Sequence, residues 1–307
     1  MPGQSPKTVS SSRKTRLYEG GVTTAMAKAA KLLESLRKRV EYRYASLLRK
    51  LWQQVKRIIR NAATPEQAQK ELIGLARSAD FEYVAKKAAL KMATMTAVGQ
   101  AQTWRQAASI SSKGAEIYKA LVKETAGTDL GAAIADIVQE NATKIKTVPL
   151  DIAQKISEKA RDMQQQGFRP DEVMKEVKKL APHLTDVEAR RIARTESAKA
   201  ATALVQARAE KYGRPFYYWR TSRDERVRAS HRLMDGVVCR WSDPPDPEMM
   251  AGEKSYGKYA PGGIFNCRCI ALPIIAPADI KFPAKVHMSG QITTVRNLNE
   301  FKQMFGL

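Results

Sequence analysis

Apolar residues recur at steps of three and four over residues 25–59, with basic residues between them. A spacing near 3.6 residues predicts a long amphipathic helix with one apolar and one basic face. Residues 81–124, further along the chain, are rich in alanine and contain few helix breakers. The first two thirds of the chain are therefore predicted to be a helical region.

Capping residues and prolines predict where the individual helices begin. On this basis, new helices are expected at Thr64-Pro65, Thr128-Asp129, Pro149, Pro170 and Thr185. The Pro170 helix should reach only to about Leu180, before Pro182. Thr185 has Glu188 three residues later, which is the spacing of a capping box, and its helix is predicted to run to Gly213.

The composition changes after Gly213. The aromatic run at residues 216–219 favours a strand, and so does the apolar run that begins near Cys269. We therefore predict a mainly α fold with a small α+β module at the C-terminal end. The predicted divisions are a basic flexible N-terminus at 1–23, a helical region at 24–184, the module at 185–277 and a tail at 278–307.

Within the module, the helix from Thr185 is expected to pack on a small sheet. Side chains alternate between the two faces of a strand. Tyr218 is therefore predicted to face this helix, and its neighbours to face the loop at residues 243–263.

Basic side chains outnumber acidic ones by 53 to 31, which gives a formal charge of +22. Residues 1–60 hold 15 basic and three acidic side chains, a local balance of +12. Such a surface attracts polyanions through counterion release, and double-stranded DNA, bound without sequence preference, is the expected partner. The candidate phosphate contacts lie on the first predicted helix: Arg37, Lys38, Arg39, Arg43, Arg49, Lys50 and Arg57.

Two further features bear on where the protein works. No run of about 18 apolar residues occurs, and the N-terminus lacks the apolar core of a secretory signal, so the protein is predicted to be neither membrane-spanning nor conventionally secreted. Membrane phosphates are the rival to DNA for the basic surface, but no membrane partner is expected. The three cysteines cannot all pair within one chain, which favours a reducing compartment.

A series of motifs follows in a fixed order between Thr185 and Ile275. They are Arg194-Thr195-Glu196, the run from Thr221 to Arg228, His231, Asp235-Gly236-Val237, the run from Trp241 to Pro245, and the run from Pro261 to Cys269. In this order, over about 90 residues, they resemble the phage Mu protein F-like family of minor head proteins of tailed phages.

The resemblance implies a low-copy component of the procapsid at the portal vertex. Because the carboxylates of the motif lie close to arginines, which keep them ionised, we expect this component to be structural and without enzymatic activity. Its implied partners are the portal protein, the major capsid protein or a scaffolding protein, and the packaged DNA. Its implied location is the interior of the virion head, after assembly in the host cytoplasm.

Physical chemistry predicts local roles for the motif residues. Asp224 can accept hydrogen bonds from backbone amides such as that of Arg226, and Asp235-Gly236 suits a tight turn. Arg194 and Glu196 point to different sides of one helix, so each is expected to pair with the C-terminal module rather than with the other. Thr195 and Asn266 belong to the same motif set.

The thiols suggest a second possibility. Cys267 and Cys269, with His231 and Cys239 upstream, carry the soft ligands that zinc prefers. Two cysteines one residue apart are a rare zinc spacing, and on a strand they would face opposite ways unless a turn intervenes. The resemblance implies a further Cys-x-x-Cys pair, but Arg228 and His231 stand in its place here. The alternative is that the cysteines are small buried apolar residues and that no cofactor binds.

Two other functions are open at this point. Asp224, His231 and Asp235 could hold a divalent metal, as in a metal-dependent nuclease or a toxin-like enzyme. A sequence-independent DNA-binding protein would account for the charge but not for the motifs.

Overall fold

The computed structural model describes residues 24–111, 113–123 and 130–307. Six helices make up its first part: α1 (Thr24–Asn61), α2 (Pro65–Arg77), α3 (Ala79–Ile110), α4 (Ala115–Lys123), α5 (Gly131–Gln165) and α6 (Pro170–Lys211). The predicted basic N-terminus at 1–23 and the helix start at Thr128-Asp129 lie outside the described residues.

A small mixed region follows α6. In chain order it contains β1 (Phe216–Arg220), α7 (Ala229–Leu233), β2 (Val238–Arg240), α8 (Pro247–Met250), β3 (Ile270–Pro273), a 3-10 helix (Pro277–Asp279), β4 (Ala284–Met288), β5 (Gln291–Val295) and α9 (Leu298–Phe305). The predicted fold class, mainly α with a small α+β module, is confirmed.

The amphipathic pattern of α1 is confirmed as well. Tyr44, Leu48 and Trp52 on its apolar face are fully buried and pack with apolar residues of α2, α3, α5 and α6 in one core. Leu47 and Leu51, which the spacing also placed in the stripe, are only partly buried. Among the helices that the structure describes, none is both long enough and apolar enough to cross a bilayer.

Two of the predicted helix starts are wrong. The first is Pro149, which lies inside α5. The second is Thr185, which lies inside α6, because this helix also continues through Pro182. The Thr185 hydroxyl does not cap a helix but donates back to the carbonyls of Ala181 and Pro182, both at 3.0 Å. A proline within a helix costs about 3 kcal/mol, and burial of apolar residues on both sides of each proline outweighs this cost.

The sheet extends beyond the segment expected to hold it. Its strand order is β3-β1-β2-β4-β5, with β2 and β4 parallel and the other neighbours antiparallel. Residues 284–295 therefore supply two of the five strands, although they lie in the predicted tail at 278–307. The predicted division at 184/185 falls within α6.

Side chains of β1 alternate between two cores, as predicted. Tyr217 and Trp219 pack with the end of α6 and with Tyr259 of the 243–263 loop. Phe216 and Tyr218 pack on the other face, where the helical partner is α1, through Ala30 and Leu33, and not the helix through Thr185.

We expect Phe301→Ala to lower the free energy of unfolding by about 3–5 kcal/mol, because this fully buried ring of α9 stacks edge-on against Phe216 of β1. Lys302→Ala, at the exposed neighbouring position, should change it by less than about 0.5 kcal/mol. Urea denaturation of the full chain measures both. Equal stability of the two variants would show that α9 does not belong to the cooperative unit.

Candidate functional site

Three consecutive motif residues of α6 face three different parts of the molecule. Successive side chains on a helix are about 100° apart, so they cannot share one partner. The Arg194 guanidinium donates to Glu41 of α1 at 3.1 Å. The Thr195 hydroxyl accepts the backbone amide of Asn266 at 3.2 Å. Glu196 points into the helical core, with only 4% of its surface exposed.

The pairing expected for Arg194 is therefore wrong, because its partner belongs to the first helix and not to the C-terminal module. Glu196 does not reach that module either; the charged groups that act on its carboxyl are those of α5 and α6. Burial raises the pKa of Glu196 above its usual value. Burial and, to a lesser extent, the Glu196 carboxylate raise the pKa of Tyr44. The Tyr44 hydroxyl donates to the Asn141 side-chain oxygen at 3.2 Å.

A second contact joins α6 to the motif run at residues 261–269. Thr202 of α6 donates to the Pro261 carbonyl. Gly262 has φ +87°, and a Cβ atom there would lie 2.9 Å from the Thr202 hydroxyl and 3.0 Å from the Ala198 carbonyl. Glycine is thus required both by the backbone conformation and by the close approach of this loop to α6.

Asp224 links two distant segments of the motif. Its carboxylate accepts the Arg226 amide at 3.0 Å, as predicted, and binds both terminal nitrogens of Arg268 at 2.5 and 2.7 Å. Burial acts to raise the pKa of Asp224, but the amide and the guanidinium outweigh it and hold that pKa below its usual value. A bidentate pair of this kind fixes orientation as well as distance.

Asp235 has a similar structural role. It accepts the Thr221 amide at 2.9 Å and hydroxyl at 3.1 Å, and the Arg223 guanidinium at 2.9 Å. Gly236, at φ +83°, completes the predicted tight turn. Asp224 is thus paired with Arg268, and Asp235 with Arg223.

His231, Cys267 and Cys269 meet in a buried cluster. Their ligand atoms all lie within 4.8 Å of one another. His231 Nδ1 is 3.6 Å from the Cys267 sulfur and 3.4 Å from the Cys269 sulfur. Asn266, at φ 55°, forms a turn just before the cysteines, and the Cys269 amide donates to the Cys267 sulfur at 3.4 Å. Cys267 and Cys269 lie between this turn and β3, and not on a strand, so the two thiols are not separated onto opposite faces.

The thiols differ in acidity. A hydrogen bond from Cys269 holds the pKa of Cys267 well below its usual value, with help from His231 and against the effect of burial. The pKa of Cys269 is raised for the same reason, since its proton is held between the two sulfurs.

The other side of the imidazole contacts two residues that sequence reasoning missed. His231 Nε2 is 2.9 Å from the Tyr259 hydroxyl and 3.4 Å from Glu248 Oε1. Tyr259 donates to Glu248 at 2.5 Å, and Ser230 donates to it at 3.3 Å. Glu248 is 1% exposed, on the short helix α8, whose first turn Asp246 caps. The Asp246-Pro247 pair signals this helix in the sequence, but nothing local indicates that the carboxylate is buried.

Two alternative ligand sets do not form among the described residues. Cys239 lies outside the cluster, with its sulfur 3.8 Å from the Val237 carbonyl. Asp224, His231 and Asp235, proposed as a nuclease site, do not come within metal-binding distance of one another. Each aspartate instead faces an arginine, as described above.

The candidate DNA contacts on α1 fall into two groups. Arg37 is buried, at 5% exposure, and pairs with Glu41 at 3.0 Å, so it is wrong as a surface contact. Lys38 pairs with Glu34, and Arg49 lies 3.6 Å from Asp186. Lys38 is exposed despite this pairing, and so are the remaining four: Arg39, Arg43, Lys50 and Arg57.

Arg39 and Arg43 line a groove between α1 and α3, with a volume of about 560 Å³. Lys91 of α3 lies across this groove and is exposed as well. The sequence did not indicate Lys91, since only packing of α3 on α1 brings it there.

Comparison with known proteins gives two matches. The family model described as "Phage Mu protein F like protein" matches residues 154–272, beginning within α5, upstream of the Thr185 start that we predicted. An uncharacterized protein of Haemophilus influenzae is 32% identical over 135 residues, which are 44% of this chain and 28% of that protein. The chain thus spans little more than a quarter of that relative. No solved structure matches.

We expect Glu196→Gln to raise the melting temperature at pH 7. Because the folded-state pKa of this carboxyl is raised, its contribution to stability is full below its ordinary pKa, about 4.3, and is lost as pH rises through the folded-state value. The gain from Gln should therefore shrink toward pH 4.

Thermal unfolding at both pH values measures this effect, with Glu158→Gln, at an exposed position of α5, as the control. A gap between Glu196→Gln and the parent that is the same at pH 4 and pH 7 would contradict the raised pKa.

Proposed function

We propose, from the phage Mu protein F-like segment that this chain carries at residues 154–272, that it is a structural minor head protein of a tailed phage. In this proposal it aids procapsid assembly at the portal vertex and works without enzymatic turnover. It assembles in the host cytoplasm and remains in the head interior of the virion. Its partners are the portal protein, the major capsid protein or a scaffolding protein.

One observation carries the structural reading: the charged motif residues are used to hold segments together. Asp224 binds Arg268 across 44 positions of the chain, and Arg194 binds Glu41 across 153. A carboxylate held ionised by a guanidinium is a poor general acid. The motif therefore supports a rigid module that presents a surface, which is what an assembly component requires.

The basic groove supports a second part of the proposal, contact with packaged DNA. Arg39, Arg43 and Lys50 are spaced by four and seven positions and so lie along one face of α1. Their exposed cations, with Lys91 across the groove, suit phosphates and read no base sequence.

We expect the purified chain to co-sediment with procapsids that contain the portal and not with procapsids that lack it. Low copy number in the pellet, measured against the portal by quantitative mass spectrometry, would agree with a vertex location. Equal binding to both kinds of procapsid would place the contact on the shell instead. Metal-dependent nicking of supercoiled plasmid by the purified protein would contradict the absence of turnover.

We expect binding to double-stranded DNA to weaken steeply with salt, with a log–log slope of about −0.9 for each phosphate contacted. Replacing Arg39, Arg43 and Lys50 together by Gln should flatten this slope by about 2.7 if each contacts one phosphate. The matched control replaces Lys254, Lys285 and Lys302, which are exposed and lie after α6 in the chain, and removes the same charge. Equal flattening in both triple variants would show that only net charge matters.

A further inference from the structure

We propose that His231, Cys267 and Cys269 bind one zinc ion through His231 Nδ1 and the two sulfurs, and that a water molecule from the adjoining cavity is the fourth ligand. The inference rests on the geometry of this cluster and is independent of the role in head assembly.

The spacing of the ligand atoms suits a tetrahedral zinc ion. With Zn–S near 2.3 Å and Zn–N near 2.0–2.1 Å, tetrahedral geometry separates nitrogen from sulfur by about 3.5 Å. The two nitrogen–sulfur distances here are 3.6 and 3.4 Å. A zinc ion therefore needs little rearrangement of these side chains.

The surroundings also suit zinc. A ligating histidine usually passes its other ring nitrogen to a carboxylate or a similar acceptor, which fixes the ring and its tautomer. His231 Nε2 faces the Tyr259 hydroxyl and the buried Glu248 in this way. The Cys269 amide that donates to the Cys267 sulfur stabilises negative charge on that sulfur.

Charge balance favours a divalent ion here. Two thiolates and a neutral imidazole carry a charge of −2, which Zn²⁺ cancels, so the buried site costs less desolvation when it is filled. Thiolate and imidazole ligands together favour zinc over the harder cations magnesium and calcium.

The fourth position is supplied from the cavity. Among the described residues, no fourth His, Cys, Asp or Glu lies within the cluster. A cavity of about 110 Å³ borders the three ligands and is lined also by Ser222, Arg228 and Asn266. A single water needs only about 10–15 Å³, and these polar side chains offer it partners.

The site would join two segments that are distant in the chain. His231 lies on α7, and the cysteines lie 36 and 38 positions later, just before β3. Zinc therefore acts as a cross-link that closes the small module around Trp219. The centroids of the Trp219 and His231 rings are 5.5 Å apart, in an edge-on arrangement.

The test uses the full chain, expressed with zinc and dialysed against metal-free buffer. We expect one zinc per chain by elemental mass spectrometry. Replacement by Co²⁺ should give the thiolate-to-cobalt charge-transfer band and the intense d–d bands of a tetrahedral site. Cys267→Ser and Cys269→Ser should lose the metal, whereas Cys239→Ser, a third buried cysteine outside the cluster, should keep it.

A second variant keeps the proposal testable if the serine variants do not fold. Glu248→Gln should retain the cobalt spectrum but weaken zinc affinity about 10- to 100-fold, because it acts through His231. Glu253→Gln, at an exposed position, should leave the affinity unchanged. A parent protein that contains no zinc and gives no cobalt bands, or a Cys239→Ser variant that loses them, would overturn the assignment.

Discussion

The continuity of α6 is the constraint on which the rest of the structure depends. This one helix packs in the helical core with its first half and supports the C-terminal module with its second. Arg194 and Thr195, adjacent on it, fix α1 and the turn at Asn266 respectively. Because their directions differ by about 100°, a break or a change of register in α6 would misplace both partners at once.

Buried polar groups make the module specific rather than merely compact. Glu196 and Glu248 are nearly inaccessible, and such carboxylates are costly to bury without partners. Glu248 meets this cost through Tyr259 and Ser230, which come from the 243–263 loop and from α7. The cost of burying Glu196 is offset less fully, because its Oε2 atom has no hydrogen-bond partner.

The ion pair between Arg194 and Glu41 also connects the two proposed roles. The basic face of α1 and the motif module belong to one body, held by this pair and by Ala30 and Leu33 packing against the sheet. The basic face of α1 is therefore held in a set position relative to the motif module.

The sequence by itself determined the helical content, the buried stripe of α1 and two strands of the sheet, because these follow from periods of 3.6 and 2 that are local in the chain. It misplaced helix ends at Pro149 and Pro182, where burial on both sides outweighs a local penalty. The sequence indicated His231, Cys267 and Cys269 as candidate zinc ligands, but their residue types could not show that the three side chains lie close together. Only the tertiary structure decided that, and it alone brought Glu248 to His231, because contacts across 17 to 38 positions depend on how α7, α8 and β3 pack together.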